Sequence, residues 1–211
     1  SIALGMLTER HYGFIAKNWP KEMAPVVQQV DTVDQLRQDE TQVIRADLNE
    51  YENLSVSIKD QIAASILETS RRFNVPPGLL HAIFQIESEY RFNIDHPTII
   101  VNGTKTAAVG LGGIVWEYWK DSLISYNIAE KRTDLYIPRN NILASGLILR
   151  LIIDDELTKK NDSWIVGRII AQYYGISSAA YENKMRSVTS SLWLRRIARE
   201  IIESKSDSTK N

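Results

Sequence analysis

The sequence predicts an all-α protein, and three observations carry that prediction. Apolar residues recur at helical spacing through most of the 211 residues. Proline and glycine clusters divide the chain into segments of helix length. No segment shows a convincing strand-like alternation of apolar and polar residues. The stretch near 99–108 is the exception, because Asn102-Gly103 stands there between β-branched residues and is compatible with a short β-hairpin.

Composition narrows the class of protein and of site. Apolar residues make up 44% and charged residues 24% of the chain, which is typical of a folded soluble protein. The formal net charge of -1 gives no field that would attract nucleic acid, so we expect no nucleic-acid partner. The absence of cysteine excludes disulfides, cysteine nucleophiles and thiolate zinc sites. The 3 histidines lack i, i+4 pairing, and we expect neither a metal nor a cofactor.

The first part of the chain, residues 1–54, is predicted to be an N-terminal helical extension. Within it, residues 31–54 carry apolar side chains at helical spacing among many charges, which indicates one or two amphipathic helices. We assign the main domain to residues 55–204. The last residues, 205–211, form a polar tail that we expect to fray.

The main domain is predicted to begin with two helices separated by prolines. The first starts near Ser57, which makes a capping-box-like pair with Asp60. The segment "NVPPG" ends it, because its two prolines cannot continue a helix but suit the first turn of a new one. The second helix follows at about 77–91, and a glycine-rich loop occupies 92–113.

Further helices are predicted after that loop, at 114–128, 139–158, 164–174 and, as one or two helices, 178–203. The longest apolar run, residues 142–153, belongs to the second of these. It is too short to span a bilayer and contains Arg150, so we predict a buried helix and no transmembrane segment.

Two glutamates in "AIFQIESEYRFN" are predicted to lie in different environments. Glu87 follows Ile83 and Phe84 at i+4 and i+3, so it continues their apolar helix face, whereas Glu89 belongs to a wetter side. We expect the apolar surface to raise the pKa of Glu87, because desolvation disfavours the charged form. A carboxylic acid that keeps its proton near neutral pH can donate it to a leaving oxygen. The same spacing also suits a structural glutamate at the edge of a helix face.

Four sequence blocks occur in an order and spacing that resemble a known family. They are "VPPGLLHAIFQIESEY" (75–90), "AAVGLGGI" (107–114), "IPRNNILASGLIL" (137–149) and "IIAQYYG" (169–175). Together they resemble the blocks of soluble lytic transglycosylases, in the goose-type-lysozyme-like superfamily, over roughly residues 57–190. The resemblance implies a lysozyme-like helical domain that cleaves bacterial peptidoglycan.

The resemblance also implies a mechanism with one catalytic carboxylate and no cofactor or metal. Glu87 would cleave the MurNAc-GlcNAc β-1,4 bond and form 1,6-anhydro-MurNAc, with the substrate's own 2-acetamido group in place of a second carboxylate. The expected substrate-binding residues are Ser88, Tyr90, Gly110, Leu111, Gly113, Asn141, Tyr173 and Tyr174. Each also has a plainer reading: helix capping for the serine, turn geometry for the glycines and core packing for the tyrosines.

The implied partners are peptidoglycan glycan strands and, through residues 1–54, a larger envelope or virion assembly. The implied location is the bacterial periplasm or cell envelope, or a phage virion. The sequence departs from the family where Gly112-Gly113 replaces Met-Gln and Tyr174 replaces an asparagine. Three alternatives therefore stay open: a non-catalytic glycan- or scaffold-binding domain, a hydrolytic muramidase that uses Asp95 or Glu117 as a second carboxylate, and a helical adaptor.

Overall fold

The computed structural model describes residues 32–159, 165–174 and Ile201. This part of the chain is mostly helical with one two-stranded antiparallel sheet, which confirms the mainly α class. The helices are α1 (Thr32–Asp47), α2 (Val56–Phe73), α3 (Pro77–Glu87), α4 (Trp116–Ser125), α5 (Pro138–Thr158) and α6 (Ile165–Tyr174). Short 3-10 helices cover Leu48–Glu50 and Arg132–Tyr136, and the strands are β1 (Asp95–Val101) and β2 (Thr104–Val109).

Helix α2 begins at Val56, close to the predicted start near Ser57. The hydroxyl oxygen of Ser55 accepts a hydrogen bond from the amide of Ile58 at 3.3 Å, so Ser55 is the N-cap and the predicted capping pair of Ser57 with Asp60 is wrong. The helix ends where Asn74 adopts a left-handed conformation with φ of 51°. Helix α3 then starts at Pro77, as the double proline predicts.

Helix α3 ends at Glu87, four residues before the predicted end at 91. The next residues, Glu89 and Tyr90, have φ of 49° and 59°, and the amide of Tyr90 bonds the carbonyl of Phe84 at 3.4 Å. This turn reverses the chain and buries the Tyr90 ring completely, edge-on to Tyr51 at 5.0 Å between centroids. Glu87 is therefore the last residue of its helix, and Glu89 lies outside any helix.

Helix α5 forms the centre of the core and packs against α2 and α6. The run 142–153 is buried throughout, as predicted from its composition. Gly146 allows the close approach to α2, because a Cβ there would lie 3.1 Å from the Phe73 ring and closer still to the Thr69 side chain. In the part of the chain that the structure describes, no helix has both the length and the apolarity needed to cross a membrane.

The hairpin is longer than the predicted 99–108. Its turn, Asn102-Gly103, has φ of 49° and 77°, the pair of positive values that suits a tight antiparallel connection. Thr98 pairs with Ala107 in regular register, but the register shifts between Asp95 and Thr98. Pro97 lies inside that irregularity and has no amide to donate to the ladder. The predictions for residues 1–31, most of 178–203 and 205–211 fall outside the described residues.

A buried histidine is expected to make stability depend on pH. His81 is 2% exposed and its Nδ1 shares a hydrogen bond with the Tyr90 hydroxyl. Burial lowers the pKa of His81 from 6.5 to about 4. The Asp47 carboxylate, 3.6 Å from Nε2, does not offset this shift, because it is half exposed to water. The unfolded chain therefore binds this proton at higher pH than the folded chain. This contribution to stability is complete above about pH 6.5 and falls by roughly 3 kcal/mol as the pH drops to about 4.

Urea unfolding of the wild type and of His81→Asn across this pH range measures the effect. Asparagine offers a polar partner to Tyr90 but does not titrate, so the variant is expected to lose less stability on acidification than the wild type. Parallel pH dependences of the two proteins would contradict the prediction.

Candidate active site

Glu87 lies at the end of α3, with a side chain that is mostly but not completely enclosed. Its preceding neighbours on the apolar face, Ile83 and Phe84, are fully buried, while 19% of the Glu87 side chain is exposed. A Cβ added at Gly113 would lie 2.6 Å from Glu87 Oε2, so the carboxyl group rests directly against that glycine. Glu89 is exposed. The two glutamates therefore differ in environment in the direction that the sequence predicts.

The turn Gly110–Gly113 connects β2 to a bridge at Ile114. It is closed by the amide of Gly113, which donates to the Gly110 carbonyl at 3.2 Å, and by a bridge between Val109 and Ile114. Gly110 and Gly113 have φ of 70° and 60°, a region that L side chains rarely adopt.

Two of these glycines face the protein's own helices and not an open surface. A Cβ at Gly110 would lie 2.8 Å from the Leu135 carbonyl oxygen, and one at Gly112 would lie 2.7 Å from the Tyr173 hydroxyl. Both residues are buried. The expectation that Gly110 contacts a glycan is therefore corrected: its missing side chain lets the turn approach the core, and among these glycines Gly113 is the one that meets the carboxyl group.

Asn141, from the first turn of α5, holds this glycine turn in place. Its Oδ1 accepts the Gly112 amide at 2.8 Å, and its Nδ2 donates to the carbonyl oxygens of Val109 and Leu135, both at 2.9 Å. The side chain is 0% exposed. The expectation of a direct glycan donor is corrected, because every one of these bonds is made inside the protein.

Asn141→Ala is expected to destabilise the fold by about 3 kcal/mol, since it leaves the buried Gly112 amide without its partner and removes the donor to Leu135. Chemical denaturation measures the loss. Asn140→Ala is the matched control: its half-buried side chain makes a 3.3 Å bond to the Asp134 carbonyl, and we expect a loss of at most about 1 kcal/mol. Equal losses at the two neighbouring asparagines would contradict this role for Asn141.

Tyr173 of α6 also binds the glycine turn, through its hydroxyl group. Its hydroxyl lies 2.9 Å from the Gly112 carbonyl oxygen and 3.1 Å from Ser145 Oγ, and Ser145 donates its own proton to the Asn141 carbonyl. Burial raises the pKa of Tyr173 far above its ordinary value, and the nearby charge of Glu87 adds to this shift. Tyr173 is 6% exposed and its hydroxyl contacts are made inside the protein, so in this structure it positions the turn; its predicted role in substrate binding stays a prediction. The Tyr174 hydroxyl lies 3.4 Å from the Ile83 carbonyl, and its side chain is half-buried.

Three further expected binding residues are completely buried. Ser88, Tyr90 and Leu111 are each 0% exposed. The Ser88 hydroxyl donates to the Phe84 carbonyl at 3.1 Å, so it completes the end of α3. Direct contact with a glycan is corrected for all three, because a fully enclosed side chain offers no surface to a ligand; they shape the region around Glu87.

His96 lies beside Glu87, in the segment 92–113 that the sequence predicts only as a loop. Its Nε2 donates to the Gly110 carbonyl oxygen at 2.8 Å, and its Nδ1 is 3.5 Å from Glu87 Oε2. The register shift between Asp95 and Thr98 precedes the regular ladder, so counting back from Asn102-Gly103 does not give the direction of this side chain. The sequence therefore held no usable signal for the contact.

The two candidate second carboxylates are bound to other groups. Asp95 accepts from the Tyr136 hydroxyl at 2.7 Å and pairs with Arg132, and these two contacts hold the pKa of Asp95 below its usual range. Glu117 accepts from the Thr106 hydroxyl at 2.8 Å. Within residues 32–159 and 165–174, no group of three or more acidic or histidine side chains is arranged to hold a metal ion.

Comparison of the chain with family models, curated proteins and solved structures finds no match. The site is therefore defined by its own geometry: one partly enclosed carboxyl group at a helix end, against a glycine turn that two buried side chains fix from behind.

Proposed function

We propose that this protein is a peptidoglycan lytic transglycosylase with a lysozyme-like fold. One observation carries the proposal: residues from all four motif blocks meet at one turn. Gly112 bonds Asn141 and Tyr173, and the adjacent Gly113 touches Glu87. These blocks are separated by tens of residues in the sequence. Chance motif matches give no reason for such convergence, whereas a shared active-site architecture does.

In the proposed reaction, Glu87 acts first as acid and then as base. Its proton moves to the glycosidic oxygen between MurNAc and GlcNAc, and the bond from that oxygen to C1 of MurNAc breaks. The 2-acetamido oxygen supports the oxocarbenium-like carbon. The Glu87 carboxylate then takes the proton of the MurNAc 6-hydroxyl, whose oxygen bonds C1 and closes the 1,6-anhydro ring. The carboxyl group is restored, and no water is consumed.

The environment of Glu87 suits both steps. The neighbours Ile83 and Phe84 are fully buried and apolar, so the carboxyl group lies against a surface that excludes water. The exposed 19% of the side chain leaves a route to a substrate oxygen. The engagement of Asp95 with Arg132 and Tyr136 argues against a second carboxylate there and in favour of assistance by the substrate. A bacterial envelope or a phage virion is the setting in which this activity would operate.

Digestion of purified sacculi by the whole chain tests the proposal. Mass spectrometry is expected to find 1,6-anhydro-MurNAc ends, which are lighter by one water than reducing ends. Glu87→Gln, prepared identically, controls for wall enzymes from the expression host. Reducing MurNAc ends that depend on Glu87 would replace the transglycosylase with a hydrolytic muramidase, and no glycan cleavage would reject both enzymes.

A non-catalytic glycan-binding domain is the second candidate, and the Gly112-Gly113 pair favours it. The resembling family carries a glutamine at the second of these positions, whereas this chain carries Gly113. Co-sedimentation with sacculi distinguishes the candidates: binding by both the wild type and Glu87→Gln, without soluble products, would support this alternative.

A further inference from the structure

The side chain of His96 has a defined orientation because one of its nitrogens is already bound. Nε2 lies 2.8 Å from the Gly110 carbonyl oxygen, and that oxygen also accepts the Gly113 amide at 3.2 Å. A carbonyl oxygen can only accept hydrogen bonds, so Nε2 carries a proton. In the neutral imidazole, Nδ1 therefore presents a lone pair, and it presents that lone pair to Glu87 Oε2 at 3.5 Å.

This arrangement gives Glu87 a partner that depends on its protonation state. A protonated carboxyl group can donate to the Nδ1 lone pair, while a carboxylate facing the same lone pair gains nothing. If the imidazole becomes charged, Nδ1 donates instead and the carboxylate is favoured.

The space that this pair occupies explains the glycine at position 113. A Cβ there would lie 2.6 Å from Glu87 Oε2 and 3.5 Å from His96 Cε1. Where the resembling family has a glutamine, this chain has the carboxyl group and the imidazole ring in contact with a bare backbone. The glycine that departs from the family pattern therefore provides the space in which Glu87 and His96 meet.

We propose that His96 is a positioning residue for Glu87. Its Nδ1 accepts a hydrogen bond from the protonated carboxyl group of Glu87, and the Gly110 carbonyl fixes the orientation of the imidazole ring. Its catalytic meaning rests on the proposed function. Before the reaction, a hydrogen bond from the protonated carboxyl group to Nδ1 holds the acid in one orientation. After the proton has moved to the glycosidic oxygen, the carboxylate has no hydrogen bond from this lone pair, and uptake of the 6-hydroxyl proton restores the contact.

The other charges near the pair come from its own strand and from two packed elements. Asp95 precedes His96 on β1, and its pKa is lowered first by the hydrogen bond from Tyr136 and then by Arg132. Arg132, from the 3-10 helix, neutralises Asp95. Tyr173, from α6, has a pKa that is raised in part by Glu87 and stays uncharged. Because Asp95 is paired with Arg132, Glu87 is the carboxyl group with which Nδ1 of His96 interacts.

Nitrogen NMR of the three histidines tests the pair without any activity assay. We expect His96 to be the tautomer with the proton on Nε2, and its Nδ1 signal to move in Glu87→Gln while the His81 signals stay unchanged. A wild-type ring with the proton on Nδ1, or an Nδ1 signal insensitive to Glu87→Gln, overturns the proposal. This result stands whether or not the protein cleaves peptidoglycan, so failure of the two proposals is distinguishable.

The pH profile of glycan cleavage tests the catalytic meaning. His96→Asn keeps an acceptor near Glu87 but does not become charged, whereas His96→Phe keeps only the shape of a ring. We expect the phenylalanine variant to lose roughly 10-fold in kcat, which is less than the roughly 10²–10⁴-fold contributed by an acid–base group itself, because His96 acts only through Glu87. The asparagine variant should recover part of that loss and fall less steeply than the wild type at acid pH. Losses that are equal at every pH for both variants would indicate a merely structural histidine and overturn the assignment.

Discussion

Glu87→Gln is expected to lower the rate of glycan cleavage by on the order of 10³-fold, because in the proposed reaction Glu87 is the group that donates and later recovers the proton. Glutamine has nearly the same shape, and the side chain it replaces is partly open to solvent. The fold should therefore survive, and thermal unfolding of the variant should resemble that of the wild type. Product release from purified sacculi, followed with time, measures the rate.

Glu89→Gln is the matched control for this prediction. It makes the same chemical change two residues away, at an exposed position outside the helix. We expect unchanged cleavage and unchanged unfolding. If Glu87→Gln cleaved sacculi as fast as the wild type, Glu87 would have no role as the acid, whatever the behaviour of Glu89→Gln.

The helices of the fold follow from local signals in the sequence. The double proline before α3 and the apolar run of α5 each act over a few residues. Helix α3 starts at the predicted Pro77, and α5 starts at Pro138, one residue before its predicted start. The predicted end of α3 at 91 is wrong, because the observed end at Glu87 depends on a distant contact. Tyr90 leaves the helix to pack against Tyr51 and to bond His81, and no periodicity within residues 77–91 reports those partners.

In the candidate site, too, local sequence patterns predicted some features, whereas contacts between distant residues determine the others. The apolar spacing before Glu87 indicates its environment correctly, because helix geometry relates those residues directly. The motif blocks identified Asn141 and Tyr173, but not what they touch. Both bond Gly112 within the protein, so their role is to fix the turn. The contact of His96 with Glu87 was not predicted, because the orientation of the His96 ring depends on an irregular part of the β-ladder and not on a repeating sequence pattern.

Gly113→Ala is expected to lower glycan cleavage by about 100-fold, the usual cost of displacing a catalytic group by about 1 Å. The added Cβ would lie 2.6 Å from Glu87 Oε2, which is closer than two such atoms can approach, so the carboxyl group must move. Stability should also fall by roughly 1–2 kcal/mol, because alanine is strained at φ of 60°.

Gly103→Ala separates these two effects. Gly103 has φ of 77° in the hairpin turn, and a Cβ there would meet nothing within 4 Å. The variant should lose a similar amount of stability, about 1–2 kcal/mol, and keep its cleavage activity. Equal activity losses in the two variants would mean that backbone strain, and not contact with Glu87, disturbs the site.

A double-mutant cycle identifies the atom responsible. If Gly113→Ala acts by colliding with the carboxyl group, its cost in unfolding free energy should be smaller in a Glu87→Ala background, where that group is gone. The cost of Gly103→Ala should be the same in both backgrounds, because no atom, of Glu87 or of any other residue, lies within 4 Å of a Cβ at Gly103. An unchanged cost for Gly113→Ala would show that the turn tolerates a side chain by moving away from α3. In that case, the glycine would be required by its positive φ alone, and its contact with the proposed acid would have no energetic consequence.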